Sequence, residues 1–261
     1  MDKIFKKLKF PAFACFLVYS GITAGVWQFQ DNLLYQGLSI GQPKSGLGPW
    51  TLRRPDLTLH GWVENPGQSK AVVLFGGNAM ALEPFRGFLS SCTTRTVYLI
   101  PYRGFEGQAG HPSQKALIDD GVAIVEELQK HHSKSVAVLG ISLGSGVAIQ
   151  VAHRTQVDRI ALITPYDSIL NVAKDHMWGF PVEGLLKDTY DSAAIAPFVH
   201  QPVFILRASY DLIVRPRRTD ALIKAFGRPI QVQWSKTGHN GVWDPKFQAQ
   251  TCAFIKQALD G

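Results

Sequence analysis

The stretch that most constrains this chain of 261 residues is Val136 to Val151, VAVLGISLGSGVAIQV. It begins as an apolar run typical of a buried strand and continues as a helix rich in small residues. Between the two, Gly140 to Gly144 form G-x-S-x-G, the pattern of a strand–turn–helix elbow with Ser142 at its apex. Side chains at the two outer glycines would collide with the neighbouring strand and helix. The pattern predicts a nucleophilic serine, with the Leu143 N–H aimed at a developing oxyanion. The alternative is a Gly/Ser-rich turn without chemistry.

Strand patterns alternate with helical patterns along most of the chain, which predicts a mainly parallel sheet with helices on both faces. Trp50 to Arg53 and Thr58 to Glu64 alternate in polarity and predict an antiparallel pair at a sheet edge. Ser113 is predicted to cap a helix that runs to about residue 131, and Asp244 to cap the last helix.

The longest segment without a strand pattern, about residues 165–201, is predicted to form a small lid. Three of its apolar residues have more than one predicted role. They are expected to line an acyl pocket, to touch a bilayer, or simply to cover the sheet; these residues are Trp178, Phe180 and Leu185.

The N-terminal region is predicted to be a signal anchor, a single transmembrane helix over residues 1–30. Phe10 to Phe29 contains no charged residue and is long enough to span a bilayer. Four lysines precede it and predict a cytoplasmic N-terminus, with the main domain extracytoplasmic, or periplasmic in a bacterium. The alternatives are a signal peptide cleaved near Ala24, which would give a secreted protein, and a buried core helix. Residues 31–49 are predicted to be a linker and residues 50–261 a single domain.

A general base and an acid are expected downstream of Ser142. His239 lies in a loop directly after the last predicted strand and is the candidate base, with His111 as second choice. Asp211 follows the preceding strand and is the candidate acid, with Asp167 as the alternative. The chain order Ser, Asp, His and the position of each residue at a strand end predict a triad at one sheet edge.

Charge and cysteine usage exclude several other classes of function. The net charge of +7 is spread thinly and forms no basic stripe with interleaved aromatics, so no nucleic-acid partner is expected. The three cysteines and eight histidines show no metal-ligand spacing, and the glycine-rich loop of residues 102–113 lacks the phosphate-loop lysine. No metal or cofactor is therefore expected.

The sequence resembles the α/β-hydrolase superfamily, and within it the membrane-anchored bud-emergence-type hydrolases related to the abhydrolase depalmitoylases. The resemblance covers nearly the whole chain. It is carried by Phe29-Gln30-Asp31-Asn32-Leu33-Leu34-Tyr35, Gly76-Gly77-Asn78-Ala79, Tyr102-Arg103-Gly104-Phe105, Gly110-His111-Pro112-Ser113, Ser142-Leu143-Gly144, Leu185-Leu186-Lys187-Asp188, Tyr190-Asp191-Ser192 and Gly238-His239-Asn240.

The resemblance implies the α/β-hydrolase fold with Ser142, Asp211 and His239 as its triad. It also implies that the loop after the third strand supplies the second oxyanion donor, which we assign to Asn78, with Gly77 as second choice. The sequence departs from the family at Gly76, where histidine is usual. In this fold the first and last sheet-covering helices lie side by side. Two separate apolar core positions are the expected arrangement of Cys92 and Cys252, and that placement of the helices motivates a disulfide between them as the alternative.

The predicted activity is cleavage of a carboxylic ester, thioester or amide through an acyl-enzyme, on a small-molecule or lipid-like acyl substrate. A peptidase of the same fold and a catalytically inactive membrane-tethered scaffold are the alternatives. The membrane is the expected partner of the N-terminal helix, and the sequence indicates no particular protein partner.

Overall fold

The structure is a computed structural model that describes residues 2–132 and 135–261. For residues 2–12, 15 and 16 only the backbone is described. The chain forms eight strands and nine α-helices over these residues, with short 3₁₀ turns between them. The strands are β1 (Trp50–Arg53), β2 (Thr58–Glu64), β3 (Ala71–Phe75), β4 (Thr96–Leu99), β5 (Val136–Ile141), β6 (Ile160–Ile163), β7 (Val203–Ala208) and β8 (Gln231–Ser235). The helices are α1 (Asp2–Leu34), α2 (Arg86–Ser91), α3 (Gln114–His131), α4 (Leu143–Arg154), α5 (Ile169–His176), α6 (Val182–Leu185), α7 (Ser192–Ile195), α8 (Pro216–Ala225) and α9 (Pro245–Asp260).

The strands form one sheet in the order β1-β2-β4-β3-β5-β6-β7-β8. The first two strands pair antiparallel at one edge, and β2 also runs antiparallel to β4, while all later neighbours are parallel. Because the carboxyl ends of parallel strands meet at one edge, the loops after β3, β5, β7 and β8 gather there. The predicted mainly parallel sheet and its antiparallel edge pair are both confirmed.

Helices cover both faces of the sheet, and this is why the central strands are apolar on both sides. Every residue of β3, β5, β6 and β7 is buried. One core cluster packs the sheet against α3 and α4, and a second packs the other face against α2 and α9. The predicted caps are also present: Ser113 accepts the Ala116 N–H, and Asp244 accepts the Lys246 N–H.

A disulfide joins Cys92 at the end of α2 to Cys252 within α9, with 4.9 Å between their Cα atoms. The disulfide, the alternative arrangement, is therefore present in the structure. It links the two helices that cover the second face of the sheet. Just before these helices lie Phe85 and Trp243, whose rings pack edge to face at 5.2 Å.

Residues 31–49, predicted to be a linker, begin with the end of a helix and with a residue that docks on the domain. Helix α1 continues to Leu34, and the Tyr35 side chain that follows is completely buried in the core. Polar contacts as well as apolar packing hold Tyr35 in place, because its hydroxyl is hydrogen-bonded to Asp188 and Tyr190 of the lid region.

The lid region contains α5, α6 and α7 and packs against α1. Phe180 stacks on Tyr19 with 5.4 Å between ring centroids, and Leu185 lies beside Trp27 in a small apolar groove. Trp178 is 92 % exposed. Phe180 and Leu185 thus face α1, and neither lines the cavity beside Ser142.

Within the part of the chain whose side chains the structure describes, no helix is long and apolar enough to cross a membrane. Residues 1–12, 15 and 16 of the predicted anchor lie outside that part.

Candidate active site

Ser142 lies at the turn between β5 and α4, in a backbone conformation that side chains rarely adopt. Its φ is 50° and its ψ is −116°, which is strained for a residue with a Cβ. The turn closes tightly because a Cβ at Gly144 would lie 1.9 Å from the Phe75 carbonyl oxygen, and one at Gly140 would lie 2.6 Å from the Gly144 oxygen. Glycine at both positions lets the strand and the helix touch, as the motif predicts, and presents the serine at the sheet edge.

Hydrogen bonds from neighbouring parts of the chain fix the backbone of the elbow. The Ser142 N–H donates to the Ile163 carbonyl of the neighbouring strand at 3.0 Å. The Tyr166 hydroxyl donates to the Leu143 carbonyl at 3.1 Å. Burial raises the pKa of Tyr166 well above its ordinary value, so this hydroxyl remains a neutral donor. These contacts fix the position of Ser142.

The structure brings the three predicted triad residues together. His239 Nε2 lies 2.9 Å from the Ser142 Oγ, and His239 Nδ1 lies 2.6 Å from the Asp211 Oδ2. An ionised carboxylate can only accept, so Nδ1 carries the hydrogen and Nε2 of the neutral ring is the acceptor for the serine hydroxyl. This is the arrangement that a proton transfer from serine to imidazole requires.

Asp211 is almost fully buried and is oriented by its own loop. Its Oδ1 accepts the Ile213 N–H at 2.9 Å and the Val214 N–H at 2.8 Å, which leaves Oδ2 for the histidine. The loop also pairs with the histidine loop, since the Tyr210 N–H donates to the Thr237 carbonyl at 2.9 Å.

The two second-choice residues lie elsewhere. Asp167 accepts the Ser168 N–H and the Asn171 side-chain amide and pairs with Arg218, so its carboxylate is engaged away from His239. His111 is exposed in the loop before α3. Of these candidates, the structure brings Asp211 and His239 together with Ser142 in one hydrogen-bond chain.

The two residues predicted to be oxyanion donors flank Ser142. Leu143 begins α4 directly after Ser142, so its N–H lies at the helix N-terminus. The loop after β3 passes beside the serine, and a Cβ at Gly77 would lie 3.7 Å from the Ser142 Cβ. Asn78, the next residue, lines the same cavity as Ser142 and His239.

A cavity of about 520 Å³ opens at the triad, within the size range of small-molecule sites. Its described lining contains no Asp, Glu, Lys or Arg side chain. The apolar part of the wall is formed by Met80, Pro84, Phe85, Ile141, Ile213 and Trp243. A neutral, largely apolar group fits such a wall, whereas a charged group would find no counter-ion there.

Most residues that line the cavity were not predicted from the sequence, and Gln36 is the most informative of them. Gln36 lines the cavity although it lies in the segment predicted to be a linker. Its backbone N–H donates to the Asn78 Oδ1 at 2.8 Å. The only signal that could have indicated it is the match of residues 29–35 to the family pattern.

The lining supplies no cluster of metal ligands: among the described residues, no three His, Cys, Asp or Glu side chains lie together as a metal site. The chemistry that the site can perform without one is acyl transfer. It has a nucleophile, a base aligned by a carboxylate, and backbone N–H groups beside them.

No protein-family model matches the chain. An uncharacterised protein of Mycobacterium tuberculosis is 28 % identical over 246 residues, which cover 88 % of this chain and 86 % of that protein. Protein bem46 of Schizosaccharomyces pombe is 25 % identical over 240 residues, which cover 82 % and 80 % of the two chains. The alpha/beta hydrolase domain-containing protein WAV2 of Arabidopsis thaliana is 26 % identical over 180 residues, which cover 60 % and 58 %.

Among solved structures, the esterase Pf2001 of Pyrococcus furiosus superimposes with a TM-score of 0.64. The match covers 84 % of this chain and all of the esterase, at 16 % sequence identity. At that identity the likeness concerns the fold, and it agrees with the sheet order and the elbow described above.

Proposed function

We propose that this chain, a member of the α/β-hydrolase superfamily, is a serine hydrolase that cleaves a carboxylic ester, thioester or amide. The observation that carries the proposal is the continuous hydrogen-bond chain from the Asp211 carboxylate through His239 to the Ser142 hydroxyl. Its members come from three loops, and they meet where the strained elbow presents the serine to an open cavity.

In the proposed reaction the Ser142 Oγ attacks the substrate carbonyl carbon while His239 Nε2 takes the hydroxyl proton. The carbonyl oxygen becomes an oxyanion that the N–H groups of Leu143 and Asn78 stabilise. His239 then gives its proton to the leaving alcohol, thiol or amine. Water, activated by the same imidazole, attacks the acyl-enzyme and releases the acid. Asp211 remains ionised and holds the imidazole in its productive tautomer.

The cavity lining favours an apolar acyl group and argues against a peptidase that grips a charged chain terminus. The aromatic wall of Phe85 and Trp243 lies close to the nucleophile, and the described lining offers no charged partner. A panel of p-nitrophenyl acyl esters, acyl thioesters and aminoacyl amides measures this preference. We expect esters and thioesters with apolar acyl chains to have the highest kcat/KM.

Covalent labelling by a fluorophosphonate probe tests the nucleophile directly. We expect wild-type protein to be labelled, Ser142→Ala to lose the label, and Ser91→Ala, which removes an exposed serine of α2, to keep it. Labelling that survives Ser142→Ala would assign another nucleophile. Absence of labelling and of turnover on the whole panel would favour the inactive scaffold.

The N-terminal helix is proposed to attach the enzyme to a membrane with the catalytic domain on the extracytoplasmic side. The four lysines before an uncharged segment of 20 residues support this orientation. The exposed apolar side chains on α1, which include Val18, Ile22 and Phe29, support the attachment itself. Alkaline carbonate extraction of cell membranes, with the mass of the mature chain, would distinguish a retained anchor from a cleaved, secreted form.

A further inference from the structure

The loop that carries the proposed oxyanion donor Asn78 has little structure of its own. It runs from Gly76 to Leu82, and its internal backbone hydrogen bond, from the Met80 N–H to the Gly77 carbonyl, is 3.4 Å long. A donor on such a loop keeps its place only if other parts of the chain hold the loop. Three side-chain bonds do so: Tyr102 hydroxyl to Gly76 carbonyl at 3.1 Å, Leu82 N–H to Glu106 Oε1 at 2.8 Å, and Gln36 N–H to Asn78 Oδ1 at 2.8 Å.

The bond from Gln36 acts on Asn78 itself, and Gln36 is held between two buried neighbours. The Tyr35 hydroxyl donates to the Asp188 Oδ2 at 2.5 Å, and no part of Tyr35 is exposed. Gly37 is packed so closely that a Cβ there would lie 2.0 Å from the Phe105 ring. The backbone N–H between them is therefore fixed in position and direction.

The end of α1 and the residues after it, 30–37, also contact the lid. The Gln30 side-chain amide donates to the Leu185 carbonyl at 3.0 Å, and its oxygen accepts the Lys187 N–H at 2.8 Å. Gln30 is buried near the end of α1, and the Tyr35 N–H continues the helix by donating to the Asp31 carbonyl at 2.7 Å. One short segment thus connects α1, the lid and the loop beside Ser142.

We propose that residues 30–37 are a positioning element of the catalytic site. The Gln36 N–H holds the side chain of Asn78, and thereby the Asn78 backbone N–H, at the place where the oxyanion of the Ser142 adduct forms. This inference rests on the proposed serine-hydrolase function. It makes the end of the N-terminal helix part of the active site rather than a tether.

The test compares two substitutions of one residue. Gln36→Ala and Gln36→Pro both remove the side chain, but only proline removes the N–H, and proline is tolerated at the first position of a helical turn. We expect kcat on a p-nitrophenyl ester to be about tenfold lower for Gln36→Pro than for Gln36→Ala. KM should change less, because the lost interaction acts on the transition state.

Repeating the pair in the background of Asn78→Ala shows whether the N–H acts through Asn78. There the acceptor is gone, so we expect the two kcat values to agree within about threefold. The proposal is overturned if Gln36→Pro lowers kcat relative to Gln36→Ala by the same factor with and without Asn78→Ala. It is also overturned if the two variants have equal kcat values when Asn78 is present. Should Gln36→Pro fail to fold, Asn78→Ala alone decides. It keeps the backbone N–H but loses the tether, so an unchanged kcat contradicts the proposal.

The outcomes separate this inference from the function on which it rests. A wild-type enzyme that hydrolyses the ester and is labelled at Ser142, but whose variants show no coupling, overturns the positioning role alone. A wild-type protein with neither activity nor labelling overturns the function and the positioning role together.

Discussion

At the elbow between β5 and α4, backbone packs directly against backbone, since Gly144 lies against the carbonyl of Phe75. The backbone of Ser142 is held there in a strained conformation. Between α1 and the lid, polar side chains make the contacts, through Gln30 and Tyr35. The elbow has no room for a side chain at Gly144. The contact between α1 and the lid depends instead on a few hydrogen bonds between residues about 150 positions apart in the sequence. We therefore expect changes at the elbow to abolish the proposed site and changes at the helix–lid contacts to alter only its geometry.

The largest effect is expected for the chemistry at the elbow. Asp211→Asn should lower kcat about 10⁴-fold on the best ester, because the amide no longer holds His239 in the tautomer that accepts the serine proton. Thermal unfolding should change little by comparison. If Asp211→Asn keeps more than about a tenth of the wild-type activity, Asp211 is not the catalytic acid. Asp167, the alternative, is then tested by measuring Asp167→Asn.

Two glycines in helices test the packing difference between the regions. Gly144→Ala should destabilise the protein by at least about 3 kcal/mol, because the new Cβ meets backbone that cannot move aside. Gly184→Ala lies in lid helix α6, where nothing stands within 4 Å, and should be neutral or stabilising by up to about 1 kcal/mol. Thermal or denaturant unfolding measures both. Equal destabilisation would show that the lid is as closely packed as the elbow.

A pair of buried tyrosines tests the polar contacts. Burial and the neighbouring Asp188 raise the pKa of Tyr35, so its hydroxyl is a neutral donor, and Tyr35→Phe should cost about 1–2 kcal/mol of stability. Tyr98→Phe removes another buried hydroxyl, bonded to His132 at 2.8 Å, and should cost a similar amount. Only Tyr35→Phe should also lower ester hydrolysis. A loss of activity in both variants would trace the effect to stability.

The smallest effect is expected at the ion pair that joins the lid to α8. Arg218, at 2.8 Å, and Arg217 hold the pKa of Asp175 well below its usual range, so the ionised form stabilises the folded lid. This contribution is complete above about pH 3.9 and is lost as the pH falls through the lower native value. Asp175→Asn should cost on the order of 1 kcal/mol or less near neutrality. Its stability should converge with that of the wild type in acid, as measured by unfolding at several pH values.

The elbow and the triad could be predicted because their signals are local. The glycine spacing around Ser142, the apolar run before it and the loops that follow two later strands each occupy a few residues. Ser113 and Asp244 were predictable as helix caps for the same reason. Parallel strands then bring such loops to one edge, so that local patterns become a site through a general rule of topology.

The helix–lid contacts could not be predicted in this way. Gln30 and Tyr35 bond to residues more than 150 positions away, and neither hydrophobic period nor turn chemistry records such a pairing. The segment before α2 is likewise a loop that ends in a 3₁₀ turn, because Pro84 lacks the N–H that would extend α2 backwards. That loop is the one that carries Asn78.

The crosslink between Cys92 and Cys252 encloses nearly all of the catalytic apparatus in one covalent ring. The two cysteines are 160 positions apart, and Ser142, Asp211 and His239 all fall between them. A protease that nicks the exposed lid near Trp178 would therefore open the ring without releasing either fragment. The nicked protein should migrate as a single band until a reducing agent is added, and then separate into two.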